Sequence, residues 1–140
     1  MIIRASRPDE LGWLCERTGI APTGDMRAIE AVEGDRILAQ IAAEGWTPNG
    51  VRCHIAVDDP HCLRALVREA TWWIFEQTGR GVIFAIIKSD HVRSLRLATG
   101  LGLRETNRIR DGWDKNVDLV CLELRREWCR WHRLPRKVAA

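Results

Sequence analysis

The sequence contains no tyrosine and only two phenylalanines, although it contains seven tryptophans. Any chemistry in this chain must therefore proceed without a phenol hydroxyl. Nowhere do about eighteen uncharged apolar residues run together, so we expect no membrane-spanning helix and no membrane partner. The opening residues MIIRASRPDE hold no apolar stretch preceded by positive charge, so we expect a protein that is not exported.

The cysteines do not indicate a disulfide framework, because the five of them are odd in number and irregular in spacing. This pattern favours a reducing compartment, and we expect the protein in the cytoplasm. Two adjacent pairs, Cys53 with His54 and His61 with Cys62, resemble zinc ligands in composition. Neighbouring residues of a strand point to opposite faces, so we predict no metal site.

The positive charge is concentrated at the end of the chain. The formal net charge is +3, yet residues 125–140 hold six Arg or Lys and one Glu, which leaves the remainder weakly acidic. Trp128 and Trp131 alternate with arginines in this tail. They could stack on nucleic-acid bases, or pack on the fold while the arginines stay in water; we favour the second interpretation. We expect one domain over residues 1–140, ending in this tail.

Apolar periodicity predicts the element order βαβββαβαββ. Ser6 and Asp9 resemble a capping box for the first helix, which reaches Gly19. The segment AIEAVEGDRILAQIAAEGW predicts a hairpin that turns at Gly34 and Asp35.

The second half begins with an alternating strand from Val51 to Val57, followed by a helix that Asp59 and Pro60 introduce. VIFAII is an uninterrupted apolar run, typical of a strand covered on both faces. The next segment, SDHVRSLRLATGLGLRETNRI, predicts a short helix that stops at Gly100 and Gly102 and gives way to a strand. That strand is predicted from Leu103 to Arg110, and a second alternating strand from Val117 to Leu124 completes the order.

This order, together with the VEGDRILAQI hairpin, the HIAV strand and the SLRLATGLGLRET segment, resembles the GNAT superfamily of N-acetyltransferases. The last segment is similar to the family's signature of an asparagine, a helix and an LGF turn. The resemblance implies an α/β (α+β) fold with a central mixed twisted sheet of about seven strands and helices on both faces. It covers nearly the whole chain.

The resemblance also implies acetyl-CoA as the acyl donor, bound where the strand 51–57 separates from the strand 82–88. A pantetheine arm there would meet unpaired backbone groups. On this basis the candidate cofactor contacts are Ile55, Ala56, Val57, His61, Cys62, Leu63, Arg64, Arg68, His91 and Ser94. Backbone amides around Ile55 to Val57 would also hold the developing oxyanion.

Two family features are missing. No glycine lies between Val57 and Gly79, so the usual glycine-rich pyrophosphate loop is absent, and Asp59 would repel an anion at the helix start. When the LGL turn is aligned, the family's tyrosine acid falls on Ala98 and its asparagine falls on His91. His91, water or the substrate could supply the proton instead, or a thiolate with a pKa of about 8.5 could leave without an acid.

The candidate general bases are His54 and Glu44, and the sequence does not choose between them. We predict an N-acetyltransferase in which the amine of a small molecule or protein attacks acetyl-CoA directly. The alternatives are an inactive binding or assembly module with the same fold, and nucleic-acid binding through the tail. Trp72 departs from the inward helical face. It could cover a second core layer, which we favour, or form a contact surface that would suit a homodimer.

Overall fold

Seven strands form one mixed sheet flanked by three helices in the computed structural model, which describes residues 1–135. Residues 136–140 of the predicted tail lie outside the described range. The strands are β1 (Ile2–Ala5), β2 (Arg27–Glu33), β3 (Arg36–Glu44), β4 (Gly50–Val57), β5 (Val82–Lys88), β6 (Arg104–Asp114) and β7 (Val117–Arg125). The helices are α1 (Leu11–Thr18), α2 (Leu63–Trp72) and α3 (Val92–Gly100).

The strands lie in the order β1-β2-β3-β4-β5-β7-β6, and only the β4 and β5 pair is parallel. The predicted element order and fold class are confirmed. The β2 and β3 hairpin turns at Gly34, whose φ of 60° is a conformation that glycine adopts without strain.

The helices cover the two faces of the sheet unequally. Leu14 of α1 packs with Ala42 of β3 and Ala56 of β4 on one face. The opposite face carries α2, which packs on β3 through Leu66 and its neighbours, and α3, which packs on β7 through Ala98. In residues 1–135, α1 is therefore the sole helix of eight or more residues on its face, and it lies over β3 and β4.

The first helix begins differently from the prediction. A short 3-10 turn, Pro8–Glu10, precedes α1, and the backbone N–H of Arg7 donates to Glu10 Oε1 at 2.8 Å. This hydrogen bond is the main reason why the pKa of Glu10 falls to about 2. The predicted capping box of Ser6 and Asp9 is wrong, because the Ser6 hydroxyl accepts a hydrogen bond from the buried Gln40.

The third helix ends at one glycine of the predicted pair. Gly100 is the last residue of α3, whereas Gly102 has a φ of 102° and lets the chain reverse. The Leu103 N–H then donates to the Ala98 carbonyl at 3.1 Å, which closes the end of the helix. Strand β6 follows at once and runs further than predicted, to Asp114.

The described part of the tail packs against α2 and α3. Trp131 Nε1 donates to the Leu101 carbonyl at 2.7 Å. Trp128 packs against the core cluster that contains Phe75 and Leu124. Arg126 pairs with Glu76 at 3.0 Å. None of the helices in residues 1–135 is long and apolar enough to span a membrane.

Candidate functional site

The two parallel strands separate shortly after they begin. The ladder between β4 and β5 contains the pairs Gly50 with Val82, Val51 with Ile83 and Arg52 with Phe84, and ends there. Beyond this point β4 stays paired with β3 as far as Val57, and β5 stays paired with β7 as far as Lys88. The sheet therefore opens into a gap between the second halves of β4 and β5.

Two hydrogen bonds at the ends of β4 indicate which backbone groups face the gap. The carbonyl of Asn49 accepts from Val82 on β5, whereas the N–H of Asp58 donates to Leu38 on the β3 side. Since backbone groups alternate along a strand, Ile55 and Val57 direct theirs toward β5, and Ala56 directs its own toward β3. The side chain of Ala56 is also buried under α1. Of the three predicted contacts on β4, Ile55 and Val57 have the geometry for a ligand in the gap, and Ala56 does not.

The side chains flanking the gap on the α2 side are apolar and only half buried. Cys53, Ile55 and Val57 of β4 face this side, together with Ala85 and Ile87 of β5. Burial raises the pKa of the Cys53 thiol to about 12, so it stays protonated at neutral pH. This cysteine is thus a packing residue and not a nucleophile.

A 3-10 turn, Pro60–Cys62, leads into α2, and a carboxylate already caps this turn. The backbone N–H of His61 donates to Asp59 Oδ1 at 3.0 Å, and His61 Nδ1 lies 2.9 Å from the same oxygen. Cys62 is buried and its Sγ contacts the Asp59 carbonyl at 3.1 Å. Leu63 is half buried, and Arg64 is exposed in the first turn. Arg64 is thus the predicted cofactor contact that places a cation at this end of the helix.

Arg68 lies in different surroundings from Arg64. Its side chain is buried, and Nε donates to the Leu134 carbonyl of the tail at 2.7 Å. This hydrogen bond holds the tail against α2, one turn further along the helix than Arg64. The structure therefore explains Arg68 as a tail contact, and its predicted contact with the cofactor gains no support.

His91 precedes the first residue of α3, near the end of β5. Its backbone N–H donates to the Lys88 carbonyl, and its Nε2 lies 3.1 Å from Ser94 Oγ. The imidazole makes no capping hydrogen bond to the helix and is exposed. His91 and Ser94, both predicted cofactor contacts, are thus adjacent to each other at the end of β5 that borders the gap.

The two candidate bases form one pair. His54 Nε2 lies 3.4 Å from Glu44 Oε1, and their side chains are only 12% and 14% exposed. His54 is opposite Ala42 in the register and Glu44 is opposite Arg52, so the pair is diagonal across β3 and β4 on the α1 face. The sequence predicted two alternatives, and the register brings them together.

The protonation of His54 reflects three neighbouring influences. Burial lowers the pKa of its imidazole below the ordinary value, and Arg52 lowers it further, while the Glu44 carboxylate opposes the shift. Glu44 is held in turn by Thr23, whose hydroxyl donates to Oε2 at 3.0 Å. At neutral pH the imidazole is therefore neutral, and a carboxylate lies where a proton on Nε2 would be stabilised.

Arg52 was not among the predicted site residues, although it lies on the same face as His54. Its Nε is buried and has no hydrogen-bond partner within residues 1–135. The period of two along a strand could have placed it beside His54 from the sequence. No sequence pattern would have shown that its guanidinium is left without a carboxylate.

A cavity of about 760 Å³ lies elsewhere, at the edge of the sheet. It is lined by Ile3 and Arg4 of β1, Ala28 of β2, and Trp72 and Trp73 beside α2, together with other residues. None of the predicted site residues lines it. Trp72 lines this cavity, and its contact in a homodimer stays a prediction. Within the described part of the chain, no three His, Cys, Asp or Glu side chains gather as metal ligands would.

No family model matches the chain, and no curated protein matches it. Solved structures do resemble it. The spermidine/spermine N-acetyltransferase SpeG from Vibrio cholerae, in complex with manganese ions, has 10% identity and a TM-score of 0.71, covering 89% of this chain and 91% of that one. A protein from Desulfovibrio desulfuricans assigned to the GNAT family of acetyltransferases has 16% identity and a TM-score of 0.71, covering 89% and 98%.

A chimera of the Vibrio cholerae SpeG with hSSAT has a TM-score of 0.72 at 10% identity, covering 90% of this chain and 96% of that one. These likenesses extend over almost the full length of both partners. The chain therefore has the GNAT N-acetyltransferase fold, and the resemblance inferred from the sequence is confirmed at the level of the fold.

Proposed function

We propose that this protein is an N-acetyltransferase that moves an acetyl group from acetyl-CoA to an amine by direct attack. The observation that carries the proposal is the gap between β4 and β5, with a buried pair beside it that joins His54 of β4 to Glu44 of β3. Fold alone does not establish chemistry. In this protein the backbone groups of β4 that face the gap could bind the acetyl-CoA donor. The His54 and Glu44 pair could take a proton from the acceptor amine.

The gap fits the donor through its backbone. Ile55 and Val57 direct N–H and C=O groups toward β5 beyond the end of the ladder, and an amide-bearing pantetheine arm can satisfy such groups. The half-buried apolar side chains flanking the gap suit its methylene segments. At the α2 start, exposed Arg64 would attract the pyrophosphate while the Asp59 carboxylate would oppose it.

His54 is the base in this proposal. Acetyl-CoA supplies the thioester; a bond forms between the amine nitrogen and the acetyl carbon, the carbon–sulfur bond breaks, and the amine proton passes to His54. The lowered pKa of the imidazole keeps it neutral and ready to accept that proton at pH 7. Glu44 orients the ring and stabilises the imidazolium that forms.

The departing thiolate leaves without a tyrosine, since the sequence contains none. A thiol of pKa about 8.5 is a tolerable leaving group in water. Backbone N–H groups of Ile55 or Val57 that face the gap are the candidates to stabilise the negative charge on the carbonyl oxygen.

Turnover tests the proposal. Free thiol released from acetyl-CoA is measured against a panel of primary amines, with the acetylated product identified by mass. We expect His54→Gln to lower kcat by about 10²–10⁴-fold, the usual worth of a positioned base. Glu44→Gln should lower kcat by a smaller factor, because the base remains and only its orientation and the stabilisation of its imidazolium are weakened. Glu16→Gln, an exposed carboxylate on α1, is the matched control and should leave kcat unchanged.

Absence of amine-dependent thiol release from folded protein would argue against acetyl transfer. It would favour the second candidate, a binding module that shares the fold. The specific observation in favour of that candidate is Asp59, because a carboxylate already occupies the amides that a pyrophosphate would use.

A further inference from the structure

The α1 face of the sheet contains a second polar group beside the proposed base. Arg52 precedes His54 by two residues on β4, so the two side chains leave the same face about 7 Å apart. Arg52 Nε is buried and has no hydrogen-bond partner within residues 1–135, whereas His54 Nε2 lies 3.4 Å from Glu44 Oε1. A buried guanidinium nitrogen without a partner points to a ligand that comes from outside the chain.

The carboxylates nearest to Arg52 already have other partners. Glu44 lies opposite Arg52 in the register, but its oxygens contact His54 at 3.4 Å and Thr23 at 3.0 Å. Glu123 lies two strands away, beyond Phe84, and pairs with Arg125 at 2.8 Å. Among residues 1–135, no carboxylate forms an ion pair with Arg52.

The adjoining face has room for a ligand. Helix α1 contacts β3 and β4, and no helix of the described chain lies over this face of β5 and β7. Phe84 and Ile86 of β5 and Cys121 of β7 are half buried there, and Ile86 lies opposite Cys121 in the register. An acceptor lying on these apolar residues would have Arg52 and His54 along one side.

We propose that Arg52 binds a carboxylate of the acceptor, so that the substrate is an amine that also carries a carboxylate. The planar guanidinium matches a carboxylate through two parallel N–H donors, which is the partner that buried Nε lacks. The amine of the same molecule then reaches His54, the next residue on that face. The acetyl transfer to this substrate rests on the proposed function, whereas the binding of a carboxylate by Arg52 does not.

A polyamine acceptor would leave Arg52 without a partner. Spermidine, after which the similar Vibrio cholerae enzyme is named, carries no carboxylate, so the buried Arg52 Nε would stay unpaired in its complex. The expected acceptor is therefore an amino acid and not a polyamine.

Matched acceptors test the proposal. The series comprises ω-amino acids from glycine to 6-aminohexanoate, the corresponding amides, and spermidine. For the wild-type protein we expect at least one acid to exceed its own amide in kcat/KM by about tenfold to a hundredfold, as a charge-assisted contact allows. Arg52→Gln should abolish that preference by raising KM for the acid much more than KM for the amide, so that acid and amide become equal in kcat/KM. Arg110→Gln, an exposed arginine of β6, should preserve it.

A measurement without turnover separates this inference from the proposed function. The Nε–H resonance of Arg52 is followed by NMR while the same acids and amides are added to wild-type protein. A shift with an acid and none with its amide supports recognition even where no acetyl transfer is detected. Equal responses to acid and amide, or equal kcat/KM values, overturn the proposal even where transfer to other amines is efficient.

Stability distinguishes a binding role from a structural one. Because Arg52 Nε has no hydrogen-bond partner among residues 1–135, Arg52→Gln should keep or raise the urea midpoint. A large fall in the midpoint would mean that the guanidinium supports the sheet, and would contradict the proposal.

Discussion

At the scale of single residues, His54 lies between charges of opposite sign. Glu44 raises the pKa of its imidazole and Arg52 lowers it, while burial lowers it most. The neutral form therefore predominates down to a pH below the ordinary histidine value of about 6.5. A reaction that needs neutral His54 should run at its plateau above that pH and slow only as the pH falls further.

NMR titration of the His54 ring tests this balance directly. Glu44→Gln should lower its pKa, because the carboxylate that favours the imidazolium is lost. Arg52→Gln should raise the pKa, because a neighbouring positive charge is removed. Asp25 and Cys15 also lie near Glu44. The Cys15 thiol stays protonated at neutral pH, since burial raises its pKa.

Glu16→Gln serves as the control in this titration and should leave the His54 pKa unchanged. Shifts of the same sign in Glu44→Gln and Arg52→Gln would show that neither side chain acts through its charge. In that case the two residues would not belong to one electrostatic site.

The sequence identified His54 and Glu44 but treated them as rivals. Each followed from its residue type and its place on a predicted strand. Their pairing depends on the register between β3 and β4, which puts His54 opposite Ala42 and so brings Glu44 onto the diagonal. A shift of one residue would have sent the two side chains to opposite faces. Arg52 was missed for a related reason, because an absent partner is a property of the folded arrangement.

At the scale of elements, the start of α2 carries two opposed charges. Asp59 accepts from the His61 N–H, and Arg64 is exposed one turn on. If the pyrophosphate binds there, Asp59→Asn should tighten acetyl-CoA binding about threefold, since asparagine still caps the helix but carries no charge. Arg64→Gln should weaken it about tenfold. Calorimetry on the two variants measures both effects.

Matched controls for this experiment lie away from α2. Asp9→Asn removes a carboxylate that is 78% exposed beside α1, and Arg110→Gln removes an exposed arginine of β6. Unchanged affinity in Asp59→Asn and Arg64→Gln would place the pyrophosphate away from the α2 start. Arg68→Gln is expected to act differently, by loosening the tail that it holds through Leu134.

The elements show where sequence patterns succeed and where they fail. Alternation along β4 placed Val51, Cys53, Ile55 and Val57 on one face, and the core clusters agree. Helix ends were less predictable, because they depend on tertiary partners. Ser6 was expected to cap α1, but its hydroxyl is occupied by Gln40, so Glu10 caps the Arg7 N–H instead.

At the scale of the whole molecule, the described tail and the two helices of one face form a continuous layer. Trp131 bonds to the end of α3 and Leu134 accepts from Arg68 of α2. The sequence allowed both a packed tail and a nucleic-acid contact, because alternating Trp and Arg suit either. The packing of Trp128 and Trp131 agrees with the first interpretation, while nucleic-acid binding stays untested.

The central claim is that the gap between β4 and β5 binds acetyl-CoA, and thermal unfolding in its presence tests that claim most directly. We predict a melting temperature that rises with acetyl-CoA concentration, equivalent to about 2.7 kcal/mol at a hundredfold excess over Kd. ATP at equal concentration should give little change, because it lacks a pantetheine arm for the backbone groups of Ile55 and Val57. A melting temperature that stays constant up to millimolar acetyl-CoA would contradict the claim.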